Sequence, residues 1–184
     1  MPMVADIARV LYHEPEILGR LDEMAERITA DYRDKELTVI AILNGSVIFM
    51  ADLLRRIPLP LQVESLSVSS YHGTRTSGNL EFRQTRLADV TGRHVLLLDD
   101  ILDSGLTLHA VRDKILSESG AASVRSCVLL RKNVVRSRAV DADYAGFDIP
   151  DEFVVGYGLD YNERYRNLPF VGVLTREAIV RHAR

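Results

Sequence analysis

Short runs that are hydrophobic on both faces limit the folds open to this chain. Leu37 to Leu43 reads LTVIAIL, Val95 to Leu98 is entirely apolar, and Val124 to Leu130 is a third predicted strand. A strand with apolar residues at consecutive positions is buried on both sides, as in a parallel sheet covered by helices. Helical patterns separate these strands, from Glu14 to Asp31 and from about Thr107 onward. This order predicts an α/β fold with a mostly parallel, doubly wound sheet.

Shorter patterns predict the remaining elements. Alternating or apolar stretches bounded by turn residues indicate further strands, and apolar residues after the first strand indicate a second helix. The second helix covers Ile48 to Leu54, and the further strands cover Val63 to Val68, Leu80 to Phe82, Tyr144 to Phe147, Phe153 to Tyr157 and Phe170 to Leu174. No repeat or linker interrupts this order, so we expect a single domain over residues 1–184.

Composition excludes several classes of protein. The 184 residues are 47% hydrophobic and 27% charged, which is typical of a globular chain. A net charge of −3, from 23 basic and 26 acidic residues, argues against non-specific nucleic-acid binding. No apolar run approaches the ~18 residues of a membrane span, and the first residues lack the pattern of a signal peptide. The single cysteine, Cys127, cannot form an intramolecular disulfide, so we expect a cytoplasmic enzyme or regulator.

One stretch carries the strongest functional signal. Val95 to Leu108 reads VLLLDDILDSGLTL and passes from a buried strand, through small polar residues, directly into a helix. Ligands bind at the carboxyl ends of strands in such sheets, and main-chain amides at a helix N-terminus favour anions. Gly105 allows an anion to approach the backbone, and Ser104 and Thr107 add hydroxyl donors. The stretch therefore predicts a monophosphate site that is neither a P-loop nor a dinucleotide fingerprint.

Three carboxylates accompany this site, at Asp99, Asp100 and Asp103. Because negative charges repel a phosphate, they indicate a neutral partner rich in hydroxyl groups, such as a ribose diol, or a hydrated magnesium ion. Ribose and phosphate together form a ribose 5-phosphate group. Alternatively, Asp100 and Asp103 only cap the helix, which is the common role of any one such residue. Three acids within five residues are costly unless something binds them, which favours the ligand site.

The same stretch resembles the 5-phosphoribosyl 1-pyrophosphate (PRPP) motif of type I phosphoribosyltransferases. That motif is a hydrophobic run, two acids, two apolar residues and then Asp-Ser/Thr-Gly-x-Thr. Leu130 to Asn133 and Phe153 to Pro169 look like the base-binding half of hypoxanthine(-guanine) phosphoribosyltransferases, and the resemblance extends from Glu14 to Leu174. It implies the type I fold with a small hood from the N- and C-terminal segments. It also implies purine salvage, in which ribose 5-phosphate passes from PRPP to hypoxanthine and guanine with release of pyrophosphate.

By this resemblance, the PRPP motif binds the ribose 5-phosphate group. Asp103 acts as general base on a purine ring nitrogen, while Asp99 and Asp100 hold the ribose hydroxyls and metal-bound water. The residues expected at the 5-phosphate are Asp103, Ser104, Gly105, Leu106 and Thr107.

The resemblance assigns the base, pyrophosphate and metal sites to other segments. Lys132 donates to the 6-oxo group of the purine, Phe153 stacks on the ring, and the backbone of Val154 contacts its edge. The residues expected at the pyrophosphate are Asn44, Gly45, Ser70, Tyr71 and Arg166. Magnesium is the expected cofactor, because it prefers one or two carboxylates together with substrate phosphates. Its expected ligands are Asp160, Asp99 and Asp100.

Three further expectations concern the loops and the assembly. The loop from Ser69 to Asn79 is polar and contains glycines, so we expect it to close over the site and exclude water. The resemblance implies a cis peptide at Leu43–Asn44 and a homodimer or homotetramer. The chain departs from the family pattern at Asp99, where Glu is frequent, and at Asn44, where Lys or Arg is frequent.

Two other classes share part of this pattern. A regulatory RNA-binding protein of the pyrimidine attenuator type shares the PRPP motif, but it requires a basic face. The nearest candidate residues for such a face are Arg131, Lys132, Arg136 and Arg138. A receiver-type signalling domain also places paired acids at a strand end, yet it does not account for the Ser-Gly-Leu-Thr cradle. The transferase therefore ranks first, with PRPP and a 6-oxopurine as partners and neither nucleic acid nor membrane.

Overall fold

The structure is a computed structural model that describes residues 3–70, 80–82, 89–136 and 140–183. Its helices and strands alternate along most of the chain, as the sequence predicts. In chain order they are β1 (Ile7–Tyr12), α1 (Glu14–Asp31), β2 (Leu37–Leu43), α2 (Val47–Leu54), β3 (Leu61–Ser70), β4 (Leu80–Phe82), β5 (His94–Leu102), α3 (Leu106–Glu118), β6 (Ser123–Lys132), β7 (Tyr144–Ile149), β8 (Val154–Val155), β9 (Val171–Leu174) and α4 (Arg176–His182).

The larger sheet has six strands in the order β4-β3-β2-β5-β6-β7. The five strands from β3 to β7 in this order pair in parallel, and β4 pairs antiparallel with β3 at the edge. The central strand, β5, lies between β2 and β6, so its carboxyl end opens at the middle of the sheet. The prediction of a mostly parallel sheet is therefore confirmed.

Helices cover the larger sheet on both faces, which gives it two hydrophobic cores. Leu96 and Leu98 of β5 pack in the core that also contains α1 and α2. Val95 and Leu97 point the other way and pack against α3, beside Val111. Alternate residues of a strand project to opposite faces, so an unbroken apolar run fills both cores. The doubly wound arrangement is therefore confirmed.

A second, three-stranded antiparallel sheet forms the hood, in the order β1-β9-β8. Strand β1 comes from the N-terminal part of the chain and pairs with β9, which lies near the other end. The hood that the family resemblance implies is therefore confirmed. Neither β1 nor α4 has a strong pattern in the sequence, because β1 is only partly buried and α4 has only 7 residues.

Several boundaries differ from the predicted ones. Strand β5 continues to Leu102, so the two acids that were expected at its end lie inside its last four residues. The extension follows from pairing with β6, which continues to Leu102 opposite Arg131. Cys127 is fully buried in β6, as expected. Within the described ranges, no helix is both long and apolar enough to cross a membrane.

Candidate active site

The turn between β5 and α3 forms a polar depression of about 210 Å³. Gly105 precedes the first residue of the helix and has a φ of +77°, in the left-handed region that glycine adopts without strain. This conformation turns the chain into α3, whose first-turn amides have no partners within the helix. The lining residues are Asp99, Asp100, Ile101, Asp103, Ser104, Gly105, Thr107 and Leu108. The depression therefore combines amide donors, two hydroxyl groups and three carboxylates.

Asp99 and Asp100 are a closely coupled pair of carboxylates at the floor of this depression. Oδ1 of Asp99 accepts a hydrogen bond from the amide of Asp100 at 3.1 Å, and Oδ1 of Asp100 accepts from the amide of Ile101 at 2.7 Å. Burial raises the pKa of Asp99 well above its usual value, and the charge of Asp100 raises it further. Burial also raises the pKa of Asp100. Such a pair favours a bound cation or hydroxyl donors over two free charges.

Two glycines bring neighbouring loops against these carboxylates. A Cβ atom on Gly45 would lie 1.7 Å from Oδ2 of Asp100, so any larger residue there would displace that carboxylate. Gly158 has a φ of +105°, and a Cβ atom there would lie 2.0 Å from the carbonyl oxygen of Gly45. The Leu43–Asn44 peptide that opens the first loop is cis. The loop after β2 and the loop after β8 therefore meet beside the acids of β5.

A second depression, of about 170 Å³, adjoins the first and contains a partly buried lysine. Nζ of Lys132 lies 2.9 Å from Oδ2 of Asp103 and 3.3 Å from Oδ1 of Asp151, and the lysine side chain is only 11% exposed. Burial opposes the charge of Lys132, but the two carboxylates outweigh it and raise the pKa of the ammonium group. The cationic donor Lys132 therefore lies beside Asp103, a carboxylate that lines both depressions.

Hydrophobic side chains complete the second depression. Phe153 is 47% exposed, which is unusual for a large aromatic residue next to a buried strand. Val154 and Leu159 also line the depression, together with Asp160. A half-exposed aromatic ring beside a polar donor and acceptor suits a planar heterocycle.

An arginine and an aspartate close the site on the side of the hood. Nη2 of Arg166 lies 2.8 Å from Oδ1 of Asp160, and Nη1 donates to the carbonyl of Gly158 at 2.9 Å. The other oxygen of Asp160 accepts from the amide of Glu163 at 2.8 Å. The Nε atom of Arg166 is buried and has no partner among the described residues. The guanidinium therefore retains donor capacity beside the carboxylates of the site.

Comparison with known proteins agrees with this geometry. The family model described as a phosphoribosyl transferase domain matches residues 9–162. The chain belongs to this family. The hypoxanthine-guanine phosphoribosyltransferase of Streptococcus pneumoniae (strain ATCC BAA-255 / R6) is 45% identical over 173 residues, which cover 94% of this chain and 96% of that protein.

Solved phosphoribosyltransferases share the whole fold. A crystal structure of a hypoxanthine phosphoribosyltransferase from Staphylococcus aureus aligns with a TM-score of 0.90 and 39% identity, covering 96% of each chain. A hypoxanthine phosphoribosyltransferase from Trypanosoma cruzi aligns with a TM-score of 0.89 and 35% identity, covering 95% of each chain. The similarity therefore includes the hood as well as the larger sheet.

The structure of this phosphoribosyltransferase brings most of the predicted site residues together. Asp99, Asp100, Asp103, Ser104, Gly105 and Thr107 line the first depression, and Asp100, Asp103, Lys132, Phe153, Val154 and Asp160 line the second. Leu106 is the first residue of α3, and Gly45 contacts Asp100. Exposed Asn44 precedes Gly45, and Arg166 binds Asp160. Ser70 is the last residue of β3, whereas Tyr71 and the rest of the predicted lid to Asn79 lie outside the described residues. The roles of these residues remain predictions.

Sequence reasoning missed two contributors to the site. Asp151 binds Lys132, and Gly158 packs against Gly45. Gly158 could have been identified from the sequence, because a glycine between bulky residues in a loop often marks a close backbone approach. Asp151 had no such signal, since exposed acids in a loop between strands are common.

The residues considered for an RNA-binding face are largely neutralised. Arg131 pairs with Asp148 at 2.6 Å and with Asp141 at 3.2 Å. Lys132 is held by the acids of the site, and Arg136 donates to the carbonyl of Lys132. Arg138 lies outside the described residues. The described part of this surface therefore does not favour the regulatory alternative.

Proposed function

We propose that this phosphoribosyltransferase transfers the 5-phosphoribosyl group of PRPP to a 6-oxopurine and releases pyrophosphate. Hypoxanthine and guanine are the proposed acceptors, with inosine and guanosine 5′-monophosphates as the products. The observation that carries the proposal is the 2.9 Å contact between Nζ of Lys132 and Oδ2 of Asp103, at the boundary of the two depressions.

This pair complements one edge of a 6-oxopurine. The 6-oxo oxygen and N7 are neighbouring atoms on that edge, and N7 carries the proton in one tautomer. The ammonium of Lys132 donates to the oxygen, and the carboxylate of Asp103 accepts from N7–H. Adenine presents an amino group in place of the oxo group, so it would meet the ammonium with a donor. The side chain of Phe153 stacks on the purine ring.

The reaction places the acceptor nitrogen against the anomeric carbon of the ribose. As Asp103 removes the proton from N7, electron density shifts to N9, which attacks the anomeric carbon as the bond to pyrophosphate breaks. The transition state has oxocarbenium character, so the neighbouring acids favour it electrostatically. The backbone of Ser104 to Thr107 holds the 5-phosphate, and Asn44, Gly45 and Arg166 hold the pyrophosphate.

The acidic residues also fit a magnesium ion that the substrate brings. Among the described residues, no group of three or more His, Cys, Asp or Glu side chains is arranged to hold a metal by itself. Magnesium is commonly held by one or two carboxylates together with substrate phosphates, and the carboxylates here are Asp99, Asp100 and Asp160. When bound, the ion supplies positive charge to the leaving pyrophosphate. Asp99 and Asp100, whose pKa values are raised by burial, would be stabilised as anions by such a cation.

The test is a comparison of acceptors at saturating PRPP and magnesium. Hypoxanthine and guanine should each yield a nucleotide and one equivalent of pyrophosphate, and adenine should yield at most about one per cent of either rate. Xanthine, which also has a 6-oxo group, measures how strongly the 2-position is recognised. The proposal would be refuted if adenine formed a nucleotide as fast as hypoxanthine does. It would also be refuted if neither hypoxanthine nor guanine formed a nucleotide.

We also propose that the enzyme is a homodimer or homotetramer, as the family suggests. The proposal is independent of the catalytic one, because the residues described above come from a single chain. Light scattering after gel filtration measures the mass directly against the 20.7 kDa of one chain. A mass of one chain at micromolar concentration would contradict it.

A further inference from the structure

The aromatic ring proposed to stack on the purine is itself supported by a second ring. Phe153 and Tyr161 lie with their ring centroids 5.2 Å apart and their planes at 80°. Such an edge-to-face arrangement is a favoured geometry for aromatic pairs. Phe153 lines the second depression. Tyr161 is not among the described residues that line it. Tyr161 therefore contacts Phe153 without forming part of the depression.

The hydroxyl group of Tyr161 fixes this second ring to the C-terminal helix. It donates to the carbonyl of Ile179 in α4 at 3.1 Å. The helix is itself well anchored, because Oγ1 of Thr175 accepts from the amide of Ala178, which is fully buried. Asn162, which follows Tyr161 in the loop, donates from Nδ2 to the carbonyl of His182 at the end of α4. Two successive side chains of the loop therefore bind carbonyl groups of one helix.

The backbone of this loop needs such anchors. Asn162, Glu163 and Tyr165 have φ values of 50°, 60° and 74°, in the left-handed region that is unfavourable for residues with a Cβ atom. Tyr165 is held by a hydrogen bond of 2.8 Å from its hydroxyl to Oδ2 of Asp6. Because the loop does not favour this conformation by itself, contacts to the rest of the molecule determine where the Tyr161 ring lies.

We propose that Tyr161 is a positioning residue for the purine base, acting through Phe153. This inference rests on the proposed function. Phe153 is half-exposed, so its ring needs a contact on the side away from the depression to stay in one orientation. A stacking ring that is already ordered loses less conformational entropy when the base binds. Tyr161 supplies that contact, and α4 thereby contributes to base affinity without touching the base.

The test measures binding of two ligands that differ only in the base. Isothermal titration with inosine 5′-monophosphate and with ribose 5-phosphate is carried out on the wild type, Tyr161→Leu and Tyr161→Phe. We expect Tyr161→Leu to weaken binding of the nucleotide roughly tenfold and that of ribose 5-phosphate less than about twofold. Tyr161→Phe keeps the ring and loses only the hydrogen bond, so it should restore most of the affinity, to within about threefold of the wild type.

Tyr144→Phe is the matched control, because it also removes a tyrosine hydroxyl from a hydrogen bond, here from β7 to Asp31 at the end of α1. It should lower the melting temperature and leave both affinities unchanged. In steady-state assays, Tyr161→Leu should raise KM for hypoxanthine with little change in KM for PRPP or in kcat. Equal loss of affinity for both ligands, or none for the nucleotide, would overturn the inference. Failure of the wild type to bind the nucleotide would instead refute the proposed function.

Discussion

Replacement of Lys132 by methionine separates base recognition from the rest of the mechanism. Methionine has a similar length and no charge, so the variant removes the donor that faces the 6-oxo group and keeps most of the volume. The side chain is only 11% exposed, so water cannot readily replace the ammonium. A hydrogen bond to a charged group contributes about 2–3 kcal/mol when its loss is not compensated, which corresponds to roughly 30- to 150-fold in kcat/KM.

The lysine also binds Asp103, so part of any loss could arise through the general base. Unsubstituted purine, which lacks the 6-oxo oxygen, distinguishes the two contributions. A loss transmitted through Asp103 affects purine and hypoxanthine alike, whereas the contact to the 6-oxo group exists only with hypoxanthine. We expect kcat/KM of the Lys132→Met variant to fall about 100-fold with hypoxanthine. The fall with purine should be smaller by a factor of at least about ten.

The assay follows pyrophosphate release at saturating PRPP with each base, for the wild type and the variant. Lys35→Met is the matched control, because Lys35 also makes a hydrogen bond, 2.6 Å to the carbonyl of Asp31, but lies away from both depressions. It should leave kcat/KM within about twofold, as expected for a surface side chain. Equal losses with both bases would show that Lys132 acts only through Asp103 and does not recognise the 6-oxo group.

Three further variants test other parts of the site. Asp103→Asn should lower kcat by about 10²- to 10⁴-fold, because an amide cannot take the purine proton. Its oxygen can still accept a hydrogen bond from Lys132, so nucleotide binding measured by calorimetry should change little. Asn44→Lys should lower KM for PRPP and the inhibition constant of pyrophosphate about fivefold, since it adds one positive charge near the leaving group. Asp99→Asn should raise the melting temperature at pH 7, where the raised pKa of Asp99 makes ionisation in the folded state unfavourable. Because the unfolded carboxyl is protonated below about pH 4, that gain should disappear there, and a gain independent of pH would contradict the raised pKa.

The parts of the fold that follow from the sequence are those with a strong local pattern. The apolar run of β2 and the periodicity of α1 predict buried elements with the observed bounds. Strand β1 was missed because its Ala8 and Arg9 are exposed, so it shows neither an apolar run nor a regular alternation. Its pairing with β9 depends on residues at the other end of the chain, which a local pattern does not record.

The same distinction applies to the site. The cradle from Asp103 to Thr107 is contiguous, so its residue types and its position before a helix were enough to predict it. Lys132 is the last residue of β6, and Asp103 directly follows its parallel neighbour β5, so the two meet at one edge of the sheet. The sequence assigned Lys132 to the site only through the family resemblance. Asp151 and Tyr161 contact Lys132 and Phe153, and nothing in their own sequence neighbourhood marks them.

The pairing of the first strand with the last has a consequence for synthesis of the chain. Strand β1 is synthesised before every other strand of this fold, but its partner β9 is synthesised after all of them. The cradle between β5 and α3 depends on β2 and β6, which are translated earlier. Phe153 directly precedes β8, which pairs with β9, so the hood beside Phe153 is complete only after β9 emerges. The strands that support the cradle are therefore all synthesised before the hood sheet can form.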